Sequence, residues 1–84
     1  MTDSALSNSV MDFVRQELSS RVKVPIEQID ASSHLIDLGL QSIDAVIMCG
    51  EIEDRFQVEL DPSAIFQFQT VGAFVEDILK RLSH

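Results

Sequence analysis

Apolar residues recur along this chain at helical spacing, with no stretch of strand-like alternation. Leu6, Val10, Phe13, Val14 and Leu18 share one helical face, which predicts a first helix over residues 5–22. Asp3 or Ser4 is placed to cap its start by accepting an early backbone N–H. Pro25 stops continuation, because the residue ahead of a proline is pushed out of the helical region. Val71, Phe74, Val75, Ile78, Leu79 and Leu82 repeat on one face of a last helix. Thr70 stands at its cap, and Lys80 and Arg81 lie in its final turn, where cations suit the macrodipole. Residues 42–56 predict a second helix. Residues 60–66 predict a brief third one, with Asp61 as cap and Pro62 at the first helical position. Between helices one and two runs a long connection, residues 23–41, with a possible helical turn at 25–29 and turn chemistry at 30–33. Ile29, Leu35, Ile36, Leu38 and Leu40 are available to pack it. The expected fold is all-α: a four-helix bundle, three longer helices and one short third helix, in a single domain over residues 1–84.

The second helix carries more apolar surface than its fold requires. At 100° per residue, Ala45, Met48, Cys49, Ile52 and Phe56 form an adequate core stripe. Ile43, Ile47 and Gly50 fall on roughly the opposite side, with Val46 between the two faces. Either the 23–41 loop folds over Ile43 and Ile47, or this face docks a partner, flanked by Asp44, Glu51, Glu53 and Asp54. Gly50 lies mid-helix, where glycine costs about 1 kcal/mol against alanine. It serves close approach of another surface or is merely tolerated. Cys49, on the core stripe, reads as a small buried hydrophobe.

Charge sharpens the picture. The 84 residues carry 14 acids and 6 bases, a net charge of −8. Between residues 27 and 61 there are nine acids and one base, Arg55, which is −8, while the rest of the chain holds five of each and sums to zero. All of the net charge therefore sits in the middle of the chain. Such a surface repels nucleic acid and anionic lipid and favours proteins with basic patches. The single Cys excludes a disulfide framework and, with only two distant His, argues against a zinc site. The longest unbroken apolar run is residues 45–49, too short to cross a bilayer. The opening residues 1–4 lack the basic and apolar regions of a secretory signal. A cytoplasmic, monomeric domain is expected.

The most specific stretch is Asp37-Leu38-Gly39-Leu40-Gln41-Ser42-Ile43-Asp44-Ala45-Val46. A glycine turn delivers a serine to the start of a helix, where first-turn N–H groups and the dipole favour a nearby phosphate. By itself this predicts an N-cap serine. As an enzyme nucleophile Ser42 lacks support: His34 and His84 are the only candidate bases, and both read as surface residues. No loop has the ligand spacing of a calcium-binding EF-hand.

In these residues the chain resembles the acyl and peptidyl carrier proteins, whose signature is Asp-x-Leu-Gly-x-Asp-Ser-Leu followed by an acidic amphipathic helix. The likeness extends over nearly the whole chain, including Glu53-Asp54-Arg55-Phe56 and the stretch Phe66-Gln67-Phe68-Gln69-Thr70-Val71. It implies that Ser42 is the attachment point of 4′-phosphopantetheine, transferred from coenzyme A by a phosphopantetheinyl transferase that holds Mg²⁺. It implies a non-catalytic carrier of acyl or aminoacyl thioesters. The implied partners are ketosynthase, acyltransferase, condensation and thioesterase-type enzymes, meeting a surface of Gln41, Ile43, Asp44, Val46, Ile47, Gly50, Glu51, Glu53 and Asp54.

Two positions depart from the family pattern. Gln41 stands where Asp is usual, and Ile47 where fatty-acid-type carriers usually have Glu. Both place the chain nearer polyketide or nonribosomal-peptide carriers than the fatty-acid synthesis carrier, which is the alternative within the class. The opening Met1 and short ends fit a free-standing carrier. A reading from another class is an unmodified acidic module that binds a partner's helix groove through Ile43 and Ile47.

Overall fold

The computed structural model describes residues 4–82. Three α-helices form the frame: α1, Ser4–Val22; α2, Ser42–Phe56; and α3, Val71–Leu82. The expected turn at 25–29 is a 3-10 turn, Ile26–Gln28, and the expected short third helix is also 3-10, Pro62–Gln67. The four-helix expectation thus stands, with its third member wound more tightly. Six residues between a capping Asp61 and an extended Phe68 are too few to repay α-helix nucleation.

The helix ends follow local chemistry. The expected cap at Asp3 lies outside the described residues, and Ser4 is already helical. α1 stops before Pro25 is reached, because Lys23 adopts a left-handed conformation (φ 60°) while its N–H donates to Ser19 O at 3.1 Å. Asp61 accepts from Ser63 N at 3.0 Å, capping the short turn. Thr70 Oγ1 accepts from Ala73 N at 3.2 Å, capping α3.

The core is apolar throughout. Val10, Val14 and Leu18 of α1 meet Ala45, Met48, Cys49 and Ile52 of α2, and Val71, Phe74, Val75 and Ile78 of α3 close the third side. Among the described residues no polar or charged side chain is buried. Phe13 and Phe56 meet edge to face, 5.6 Å between centroids, and the Arg55 guanidinium lies over Phe13 at 5.6 Å.

The 23–41 connection is held by backbone bonds more than by side chains. Leu35 N donates to Gln69 O (3.1 Å), Val71 N to Ser33 O (2.9 Å) and Gly72 N to Ala31 O (2.9 Å). Gly72 suits the close approach there. A Cβ at that position would stand 3.0 Å from the Ala31 oxygen and 3.2 Å from its Cβ. Arg15 of α1 ties the other end, donating from Nε to Ile29 O (2.6 Å) and from a terminal nitrogen to Ile26 O (2.8 Å). Of the expected packing residues, Ile29, Leu35 and Leu40 are buried and Leu38 is half-buried. Ile36 is a correction: it is 69% exposed. An irregular segment has no period to tell which of two adjacent apolar residues turns inward, and the backbone bond at Leu35 sends Leu35 in and Ile36 out.

Candidate functional site

Two turns lead the chain into α2. Leu38 N donates to His34 O (3.1 Å) and Gly39 N to Ile36 O (3.0 Å), and Gly39 takes φ +88°, open to glycine at little strain. Leu40 then drops into the core, 7% exposed. The next residue, Gln41, is extended and forms the N-cap of α2, its carbonyl accepting from Ala45 N at 2.9 Å. Its own N–H points back at Asp44 Oδ2, 3.4 Å away.

Ser42 is therefore the first helical residue and not the cap. Its side chain is exposed, and its hydroxyl has no hydrogen-bond partner among the described residues. The everyday role of a serine at this place, capping, falls to Gln41 instead. The backbone N–H groups of Ser42 and Ile43 precede the first intrahelical bond, so the positive end of the helix faces whatever is joined to that oxygen. The donor set suits a phosphodiester: one free hydroxyl, a helix start and open space.

The outer face of α2 is uncovered. Ile43 is 62% exposed, Val46 52% and Ile47 42%, so the loop does not fold over them. Gly50 and Asp54 continue this face and are exposed. A Cβ on Gly50 would meet nothing within 4 Å, so no neighbouring backbone of this chain explains the glycine. Asp44 and Glu51 flank the face on the side of α1, where Arg21 reaches Glu51 at 3.9 Å while bonding Glu17 at 3.3 Å.

Glu53 is not brought together with these residues. It lies half-buried on the other flank, and its Oε2 accepts from Leu60 N at 2.8 Å, holding the chain between α2 and the short turn. A pattern of acids on a helix records charge, and this bond depends on where the following loop returns.

Beside Ser42 lies a feature the sequence did not announce. An open groove of about 470 Å³ runs between α2 and the short turn, lined by Ser42, Val46, Asp61, Pro62, Ser63 and Phe66. Asp61 Oδ1 accepts from both Ser63 N (3.0 Å) and Ser63 Oγ (2.8 Å), which holds its carboxyl below the usual carboxylate value. Asp61 and Pro62 were legible as a helix start; their nearness to Ser42 was not.

Cys49 is buried on the core side of α2. Burial first, then the charges of Glu53 and Asp61, push its thiol up to about 11, so it stays protonated and packs as a hydrophobe. Among the described residues no cluster of His, Cys, Asp and Glu could hold a metal ion, and no helix is long and apolar enough to cross a membrane.

Comparison with known proteins agrees with this geometry. The family described as "Phosphopantetheine attachment site" matches residues 12–78. Acyl carrier protein 3 of Ralstonia nicotianae is 36% identical over 68 residues, covering 80% of this chain and 78% of that protein. The non-reducing polyketide synthase ausA of Penicillium brasilianum is 35% identical over 65 residues, 77% of this chain; the match spans only 3% of the synthase. A solved free-standing peptidyl carrier protein from an uncharacterized Acinetobacter baumannii secondary metabolic pathway superposes with a TM-score of 0.81 at 26% identity. That alignment covers 90% of this chain and 95% of the other.

Proposed function

The chain belongs to the phosphopantetheine attachment-site family, and from that premise we propose that Ser42 takes the 4′-phosphopantetheine group. The carrying observation is the unbonded, exposed hydroxyl at the first residue of α2, inside the matched segment. A phosphopantetheinyl transferase supplies coenzyme A, Mg²⁺ and a base. Ser42 Oγ attacks the phosphorus that bears pantetheine; the pyrophosphate bond breaks, adenosine 3′,5′-bisphosphate leaves, and the hydroxyl proton passes to the base. Once attached, the group offers a thiol on which acyl or aminoacyl units ride as thioesters. The chain performs no catalysis. Its residues fix the attachment point and present a surface.

That surface is the outer face of α2. Ile43, Val46, Ile47 and Gly50 supply an apolar patch, and Gln41, Asp44, Glu51 and Asp54 surround it with polar and negative groups. Glu53 contributes charge from its flank while serving the loop. Complementary basic enzymes meet such a face quickly and leave it readily, as a shuttle requires. The likeness to a polyketide synthase segment and to a free-standing peptidyl carrier supports polyketide or peptide biosynthesis; on this reading the partners are ketosynthase, acyltransferase, condensation and thioesterase-type enzymes, met in the cytoplasm. We read residues 1–84 as one carrier domain acting as a monomer.

The test is intact mass after incubation with coenzyme A, Mg²⁺ and a broad-specificity transferase, with Ser42→Ala alongside. A single phosphopantetheine is expected on the wild type and none on the variant. A Ser42→Ala protein that still gains the group would refute the assignment.

A further inference from the structure

We propose that the hollow between α1 and the end of α2 takes a carboxylate side chain of the partner docked on the outer face of α2, with Arg55 as its counter-ion. This rests on the docking role of that face, the reading proposed above. The hollow has a volume of about 300 Å³ and is lined by Ser9, Asp12, Phe13, Gln16 and Arg55. That is enough for one side chain and its neighbours, at the lower end of small-molecule sites, about 300–1,000 Å³. It lies at the opposite end of α2 from Ser42, and nothing in the carrying of a thioester uses it.

The chemistry of the hollow is that of a carboxylate site. The Arg55 guanidinium lies over the Phe13 ring, 5.6 Å from its centroid, and Phe56 meets the same ring edge to face. Arg15, Arg21 and Arg81 each pair with an acid, whereas among the described residues no carboxylate pairs with Arg55. Contact with the ring restrains the guanidinium and uses none of its N–H donors, which match a carboxylate in pairs. Ser9 and Gln16 add an exposed hydroxyl and an exposed amide from α1. Asp12, the acid among the five lining residues, leans toward Arg15 at 3.7 Å.

Placement names the source of that carboxylate. At 100° per residue Asp44, Glu51 and Arg55 fall within about 40° of one another, along the α1 flank of the outer face. Arg55 stands about 16 Å beyond Asp44, at about 1.5 Å per residue. A partner with basic groups opposite Asp44 and Glu51 brings its next side chains to the hollow. A free anion is repelled by a domain of net charge −8, but one fixed on a docked partner arrives at high effective concentration. A partner that is basic along its whole length meets like charge at Arg55. The cation selects against it and sets which way round the partner lies.

The experiment titrates the unmodified, isotope-labelled protein with acetyl-Leu-Glu-Leu-amide and with its Gln counterpart, followed by heteronuclear NMR. The Glu peptide should shift the Arg55 side-chain N–H and the amides of Ser9, Phe13 and Gln16 saturably. It should bind up to about fivefold more tightly than the Gln peptide, the range of an exposed ion pair. Arg55→Gln, with the far-UV circular dichroism of the wild type retained, should bind the two peptides alike. Four results would overturn the proposal: no saturable shift at the hollow, equal affinities on the wild type, a Glu preference that survives in Arg55→Gln, or displacement by inorganic phosphate at a lower concentration than the peptide itself needs. The titration needs no group on Ser42, so failure of attachment shows only in the mass spectrum. Failure of the outer face shows separately, as loading rates that ignore charge reversal at Asp44 and Asp54.

Discussion

Replacing Ile43 and Ile47 by alanine separates docking from folding. Each substitution removes three carbons, worth about 2.4 kcal/mol if the side chain is fully buried, at about 0.8 kcal/mol per CH₂. Ile43 keeps 62% of its surface in water and Ile47 42%. The fold therefore withdraws only about four-tenths and six-tenths of that value, roughly 0.9 and 1.4 kcal/mol. Alanine's better helix propensity offsets about 0.4 kcal/mol in each case. The expected losses of stability are then about 0.5 and 1.0 kcal/mol, against about 2–5 kcal/mol for Ile52→Ala, which sits at zero exposure. An enzyme that covers the outer face completes the burial. The exposed share of Ile43 alone is worth about 1.5 kcal/mol there, close to tenfold in affinity. Urea denaturation measures the first quantity. Transferase loading at varied carrier concentration measures the second, through kcat/KM. A stability loss for Ile43→Ala that matches Ile52→Ala would refute the exposure argument. Unchanged kcat/KM for both variants, with every partner tried, would remove the outer face from docking.

The remaining expectations concern charge and backbone. Reversal of Asp44 and Asp54 to Lys should slow loading several-fold at low salt and much less at high salt, because screening shortens the reach of exposed charges; rates indifferent to salt would leave these acids with no part in encounter. Gly50→Ala should raise stability by about 1 kcal/mol, since the helix interior prefers alanine and the new Cβ meets open space. If loading then falls, a partner approaches closely at Gly50. The folded-state pKa of Asp61 is lowered, so its stabilising contribution is fully present above the ordinary value of 3.8 and fades as pH falls through the lower folded value. The urea-midpoint gap between wild type and Asp61→Ala should accordingly be constant near neutrality and close only in strong acid; a gap that widened on acidification would contradict the sign.

The three α-helices were legible because their faces repeat, and the caps at Asp61 and Thr70 because capping is local chemistry. The same periodicity set Ile43 and Ile47 apart from the core stripe. It could not say whether a loop covered them, since periodicity records direction around an axis and not what lies beyond it. Arg15 reads as an ordinary helix-surface cation, yet it binds two carbonyls of the following connection. Ser42 was expected as a cap; Gln41 takes that place because the chain enters the helix one residue earlier. Glu53 and the groove shared one obstacle. Both depend on the return of residues 57–66 against α2, a tertiary event that leaves no local mark.

The clasp between residues 31–35 and 69–72 divides the molecule in a way its helices do not. Both ends of the intervening segment, which holds Ser42, the outer face and the groove, leave the frame at the same point, where backbone bonds join them beside the buried Leu35 and Val71. Besides the missing Cβ at Gly72, the junction needs the buried apolar side chains of Leu35 and Val71. The segment is in effect a cassette. Its outer face can be rewritten while α1 and α3 stay as they are, provided that Ala45, Met48, Cys49 and Ile52 keep the core that α2 shares with them.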